Sequence, residues 1–237
     1  IQKFAVLNRS LPSKDNKFRN IVEGFLSGES IGADREASNQ CINGVVAKLN
    51  SGPRFKAGII GGDNFRGTGT REFPIPMDWN QIENLCKQYD ADAIVVLEAF
   101  DSDIKFRTGS KDVRKTINKR DTIVREFFGN LDMNVYSGWR VYDGKNKRII
   151  EESTFNDAKG WHSTSQTEQG VFHGLPNKRT ALNEGGYFSG GQYGMRISPS
   201  WVMVTREYYV KKHPYFTEAK KYVKIKDWDN AINQWKT

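Results

Sequence analysis

The stretch "PMDWNQIENLCKQYDADAIVVLEAFDSDIKF", Pro76 to Phe106, decides the fold. Asp78, with Gln81 three residues on, resembles a capping box, in which side chains satisfy the orphan N–H groups of a helix's first turn. Trp79, Ile82, Leu85, Cys86 and Tyr89 then fall on one face of the helix that follows. Ala93 to Leu97 is apolar without alternation, the pattern of a central strand covered on both faces. From Phe100 onward, Phe100, Ser102, Ile104 and Phe106 alternate with Asp101, Asp103 and Lys105, so the same strand is expected to leave the covered part of the sheet. A helix feeding a doubly covered strand is an α/β unit.

Working outward, "KFAVLNRS" (Lys3 to Ser10) reads as a buried strand. Pro12, Asp15 and Asn16 form a turn and a cap, and Phe18, Ile21, Val22, Phe25 and Leu26 then recur at helical spacing. A second helix is expected from about Asp34 to Asn50, with Cys41, Ile42, Val45, Val46 and Leu49 on one stripe and Gly52 and Pro53 ending it. "RFKAGIIGG" is the next strand. On the other side, Leu131, Met133, Val135, Trp139 and Val141 alternate with polar residues. "DGKNK" (Asp143 to Lys147) supplies turn chemistry, and "RIIEESTF" returns antiparallel, which makes a long hairpin. The segment Asn156 to Asn177, rich in Gly, Ser, Thr and Gln, reads as a loop or lid.

Glycines between Gly185 and Gly194 argue against a helix at roughly 1 kcal/mol each relative to Ala. Yet Ala181, Gly185 and Ser189 are spaced by four, which gives a small-residue face for close approach to a sheet, so a helix is expected there. Pro199 ends it, and a strand follows from Trp201 to Val210. The fold class is α/β with some α+β character: a mixed sheet with a long antiparallel hairpin, flanking helices and a C-terminal helical hairpin. The expected domains are 1–210 and 211–237.

A chain of 237 residues suffices for one substantial core and a small appendage. Only 37% of it is hydrophobic, but 14 Phe, 9 Tyr and 6 Trp give large individual burials, so a globular fold is expected rather than disorder. No run approaches the roughly 18 apolar residues of a membrane helix. Ile1 in place of Met suggests a trimmed or processed chain. The net charge of +8 draws attention to anionic partners. Asp103 to Arg125 holds eight Lys or Arg against three Asp, and Lys211 to Lys226 six Lys against one Glu. Their simplest reading is a solvated loop and a solvated helix face. Cys41 and Cys86 lie inside apolar helical patterns as small buried side chains.

The tail "HPYFTEAKKYVKIKDWDNAINQWKT" has Pro214 in the first turn of a helix. Tyr215, Ala219, Tyr222, Trp228, Ala231 and Trp235 then follow the spacing of a tetratricopeptide repeat, with small residues where paired helices cross and aromatics between them. Tyr222, Trp228 and Trp235 are the candidate partner-binding residues. With "FAVLNRS", "DADAIVVLEAFDSD" and "RISPSWVMVTREYY", this tail makes the chain resemble a family of Bacteroidetes-type envelope lipoproteins, in which an α/β domain precedes tetratricopeptide-like repeats. More distantly, the α/β part is similar to the domain of the curli-secretion lipoproteins. The resemblance implies a cell-envelope protein, on the periplasmic side or as an outer-membrane lipoprotein. It also implies that the natural chain continues into further repeats.

No catalytic, cofactor or metal signature stands out. "GIIGGDNFRGTGT" (Gly58 to Thr70) follows a strand, but no GK[ST] ends it and the next helix starts only near Asp78, so it reads as an exposed loop and not as a phosphate cradle. Asp157, His162 and Ser163 are close in sequence without the constrained nucleophile turn of a hydrolase. His162, His173 and His213 are too scattered for a metal pattern, and Asp101 with Asp103 is a minimal set for calcium. Asn8 and Arg9 stand at the C-terminal end of the first strand, where open α/β sheets bind ligands, and are the ligand-facing candidates. The competing reading ties Arg9 to neighbouring carbonyls or a carboxylate. The expected function is non-enzymatic assembly with a protein partner. An anionic membrane surface is a secondary partner and nucleic acid is disfavoured. The alternative is a small-ligand binder or hydrolase with a cleft under 156–177, gathering Asn8, Arg9, Asp63 and His162.

Overall fold

A computed structural model describes residues 2–11, 32–62, 65, 72–117, 119–198, 205 and 207–236. In the first of two compact units, Ile1–Ser200, a mixed sheet has the strand order β2-β1-β3-β4-β5. Strand β1 (Lys3–Asn8) runs parallel to β2 (Lys56–Ile59) and to β3 (Ala93–Ile117). Strands β4 (Arg120–Asp143) and β5 (Arg148–Ser165) add on antiparallel through hairpins. The doubly covered reading of Ala93 to Leu97 holds, since all five residues are 0% exposed.

Two helices lie side by side on one face, α1 (Ala33–Asn50) and, after the shorter helices α2 (Trp79–Gln88) and α3 (Glu168–His173), α4 (Lys178–Ile197). Phe4, Val6, Val95, Leu97, Trp139 and Val141 point into that layer with Cys41, Val45 and Leu182. The opposite face carries Ala5, Leu7, Ile94, Val96 and Tyr142, which α2 covers with Ile82 and Leu85. Asp78 caps α2 by accepting from the Asn80 N–H at 2.9 Å, and Asn177 caps α4 by accepting from Thr180 N–H at 2.8 Å. The glycine-rich segment is therefore helical, as its small-residue spacing implies.

Three expectations change. The segment Asn156 to Asn177 is not a lid: β5 runs to Ser165, and α3 follows it. Its side chains alternate between the two faces of β5, with Phe155, Asp157, Trp161 and Ser163 more buried than Asn156, Ala158, Gly160 and His162. A polar period of two was hidden by small residues on the open face. The basic run Asp103 to Arg125 is likewise the distal half of the β3–β4 hairpin and not a loop. Acids in it and beside it pair with its bases across the strands: Glu126 meets Lys115 at 2.7 Å and Asp112 meets Arg125 at 3.1 Å. Third, residues 207–210 are not a strand, and most of the expected strand Trp201 to Val210 lies outside the described residues, as does the helix expected around Phe18 to Leu26.

The second unit, Trp201–Thr237, contains α5 (Pro214–Lys224) and α6 (Trp228–Lys236). His213 caps α5 and Asp227 caps α6. Ala219 and Ala231, one on each helix, are fully buried.

At the start of the sheet, the Asp92 carboxylate accepts from the Gln2 and Lys3 N–H groups at 2.7 and 3.0 Å. These bonds, the Gln2 one first, hold it below the usual carboxylate range. A carboxylate depressed in the folded state stabilises the fold above its unfolded pKa, and that stabilisation is lost as pH falls through the folded value. Unfolding titrations below about pH 4 are expected to show a shallower acid loss in Asp92→Asn than in the parent. Identical slopes would remove Asp92 from the acid response.

Candidate functional site

The C-terminal end of the parallel pair β1/β3 is where an open α/β sheet presents its ligand crevice. Here it holds a buried ionic cluster around Glu98. The β3–β4 register passes from Leu97↔Trp139 to Ala99↔Gly138, so Glu98 is the extra residue of a β-bulge. A bulge re-aims a side chain out of the regular alternation. The Glu98 side chain is 0% exposed. Arg9 Nη1 donates to both of its oxygens at 3.1 and 2.8 Å, and the Tyr142 hydroxyl donates to Oε1 at 2.8 Å. Arg140 Nη1 approaches the same Oε1 at 3.5 Å.

The cations are held in turn. Arg140 donates from Nε to Glu152 at 2.6 Å and from Nη1 to the Pro74 carbonyl at 2.6 Å, and its guanidinium lies 4.7 Å from the centre of the Phe73 ring. Arg9 donates from Nε to the Phe65 carbonyl at 3.1 Å and from Nη2 to the Ile75 carbonyl at 3.3 Å. Tyr142 accepts from the Met77 N–H at 3.3 Å. Burial pushes the Glu98 carboxyl above its ordinary range, opposed by Arg9, Tyr142 and Arg140. Burial and the adjacent Glu98 charge push the Tyr142 phenol up to about 12.

The donors facing this carboxylate belong to the protein, and its side chain is 0% exposed. The cluster's work is to fasten segment 73–77 over the strand ends. Arg9 is thus tied to neighbouring carbonyls and a carboxylate, as the competing reading has it. Asn8 is spent similarly: Nδ2 donates to Ser38 Oγ at 2.9 Å and Asn39 Oδ1 at 2.8 Å, while Oδ1 accepts from Ser10 N–H and hydroxyl. These bonds join the end of β1 to α1.

His162 does not join Asn8 and Arg9. It pairs in register with Asn130, which stands opposite Arg107, ten residues along β3 from the Leu97 that pairs with Asn8. At about 3.3 Å per residue that is roughly 30 Å away. Its Nδ1 is 2.7 Å from Asn130 Oδ1. Asp157 and Ser163 are buried on one face of β5 and His162 is exposed on the other, so no triad forms. Asp63, and most of the glycine-rich loop after Gly62, lie outside the described residues. Among the described residues no three His, Cys, Asp or Glu side chains are grouped to hold a metal ion. Burial pushes both cysteine thiols up, away from the reactive thiolate.

Of the tail residues, Tyr222 and Trp235 are half-buried and Trp228 is 53% exposed. Trp235 Nε1 donates to the Tyr209 carbonyl at 3.3 Å, and its ring lies 5.3 Å from that of Tyr208. Glu98, Arg140 and Tyr142 are the site residues that sequence reading missed. The available signal was a lone acid inside "AIVVLEAF", where a buried carboxylate requires a buried partner.

A mixed α/β domain with a buried ionic cluster at the C-terminal end of its parallel strands is the class that fold and site define. The chain belongs to a family described as a domain of unknown function, DUF8603, whose match spans residues 1–209. No curated protein matches the sequence. Among solved structures, a Helicobacter pylori protein described as a neuraminyllactose-binding hemagglutinin homolog aligns at 10% identity and a TM-score of 0.32, covering 83% of this chain and 86% of its own. The hypothetical protein CT253 of Chlamydia trachomatis aligns at 11% identity and a TM-score of 0.35, covering 82% and 96% respectively.

Proposed function

We propose that this protein is a non-catalytic assembly module of the cell envelope that engages a protein partner through its C-terminal helical pair. The observation that carries the reading is the apolar surface of that pair: Trp228 is 53%, Ile225 71%, Ile232 41% and Tyr215 40% exposed. Four large apolar side chains on two short helices and the turn between them are more than the single exposed residues that need no explanation. An adjoining helix laid against them buries them in the manner of stacked helical repeats. The envelope setting rests on the lipoprotein resemblance of the sequence. The self-satisfied Glu98 cluster supports the non-catalytic part, because among the described residues Arg9, Arg140 and Tyr142 are turned onto Glu98.

The test is co-purification from the envelope fraction of the source cells, comparing the full chain with a Trp228→Ala/Ile232→Ala double variant. The variant is expected to keep its helical circular dichroism and to lose the partner at least tenfold. Retention of the same partner at the same yield would overturn the assignment of this surface.

A further inference from the structure

We propose that the N-terminal end of the parallel strands, the other end from Glu98, carries a binding site for a small organic monoanion with a flat apolar body, of which an aromatic carboxylate is the type. A cleft of about 710 Å³ opens there, between the start of β1, the β4–β5 turn, the loop after α1 and the end of α4. That volume suits a small-molecule ligand. Its apolar wall is Phe4, Phe55, Ile150 and Ile197. Phe4 and Phe55 meet edge to face, with ring centroids 5.1 Å apart at 74°.

The cleft is shaped by a second β-bulge. Register passes from Val141↔Glu151 to Tyr142↔Ile149, leaving Ile150 as the extra residue. Neighbours in a regular strand point to opposite faces, yet Ile150 and Glu151 both line the cleft. Ile150 is accordingly 45% exposed on an otherwise apolar wall.

Charge sets the ligand's polarity. Asp143 accepts from Asn146 N–H and Nδ2 at 3.1 and 2.7 Å and from Arg148 at 3.4 Å. Arg196 is held by Asp157 at 2.7 Å and rests over Phe155 at 4.3 Å. Glu151 accepts from the Tyr193 hydroxyl at 3.2 Å and makes its wall acidic. Arg54 has no carboxylate partner among the described residues, and its guanidinium stands 5.4 Å from the centre of the Phe55 ring. An anion is therefore directed away from Glu151 towards Arg54, with the loosely held Arg148 beside it, while its flat body lies on the Phe and Ile wall.

Isothermal titration of the full chain with naphthalene-2-carboxylate, and with the neutral 2-naphthalenemethanol, tests the site. Saturable binding of the carboxylate is expected, with the alcohol at least tenfold weaker. Arg54→Ala and Ile150→Glu should each weaken the carboxylate at least tenfold at an unchanged melting temperature, since both side chains are exposed. Arg114→Ala, on the distant hairpin, should not. No saturable heat at millimolar ligand, equal affinity for the alcohol, or full affinity in Arg54→Ala would each overturn the proposal. The Trp228→Ala/Ile232→Ala variant should bind the carboxylate normally, which separates this site from the partner-binding surface.

Discussion

Replacing Glu98 by Ala should destabilise the protein by about 3–5 kcal/mol, the cost of removing one partner from a buried ion pair. Arg9 would lose the carboxylate that holds it at 2.8 Å, in a side chain only 12% exposed. Arg140 would keep Glu152 at 2.6 Å, so the penalty falls mainly on Arg9 and on the Tyr142 hydroxyl. For a chain of this size each kcal/mol lowers the melting temperature by roughly 2–4 °C, so a fall on the order of 10 °C is expected. The pair itself need not be a net stabiliser, because desolvation offsets much of its attraction. Glu98→Leu with Arg9→Met should therefore recover much of what Glu98→Ala loses. Hydrogen exchange at the Met77 N–H, which donates to Tyr142, should quicken in Glu98→Ala, since its segment is fastened by Arg9, Arg140 and Tyr142. A loss below about 1 kcal/mol, or a double variant worse than Glu98→Ala, would show that the cluster does not hold the segment down.

Legibility in the sequence followed the physics of periodicity. The strands with apolar or alternating patterns, Lys3–Asn8, Ala93 onward and Leu131 to Val141, were readable because burial imposes the pattern directly. The later half of β5 was not. Its open face carries Ala158, Gly160, His162 and Thr164, which composition alone assigns to a loop, and its pairing to β4 is a long-range fact that local sequence does not state. The same holds for the basic hairpin, whose charges look like a solvated loop until Lys111 is set opposite Glu126 and Asp112 opposite Arg125. At the site, the strand-end position of Arg9 was visible and its partner was not. Glu98 reaches Arg9 and Tyr142 across 89 and 44 residues of chain, and the bulge that aims it is a register shift with no local composition of its own.

Adjacent glycines in α4 should respond to the same substitution with opposite signs. Helix propensity alone makes Gly→Ala favourable by about 1 kcal/mol. At Gly191 nothing lies within 4 Å of an added Cβ, so Gly191→Ala should realise most of that gain. At Gly190 the added Cβ would collide with the Cys41 carbonyl oxygen, and at Gly186 with that of Ala37. These are backbone atoms of α1, which cannot rotate away as a side chain can. Gly44 answers from α1, where an added Cβ would strike the Tyr187 carbonyl. The two helices thus meet backbone to backbone at Gly186 and Gly190, and one turn further Gly194 faces the stem of Lys48, a spacing of four that keeps this face of α4 free of side chains. Gly185 and Ser189 turn instead towards the sheet, where Gly185 meets Met133 and Ser189 donates to Asp157 at 2.8 Å. Relieving the collision at Gly190 requires the two helices to move apart, which strains a packed core by about 1–3 kcal/mol or more. Gly190→Ala should therefore melt well below the parent and Gly191→Ala slightly above it, in paired denaturant titrations. If both changes stabilise, the close helix contact is not what the glycines are for, and α4 is held to the molecule by its sheet-facing side alone.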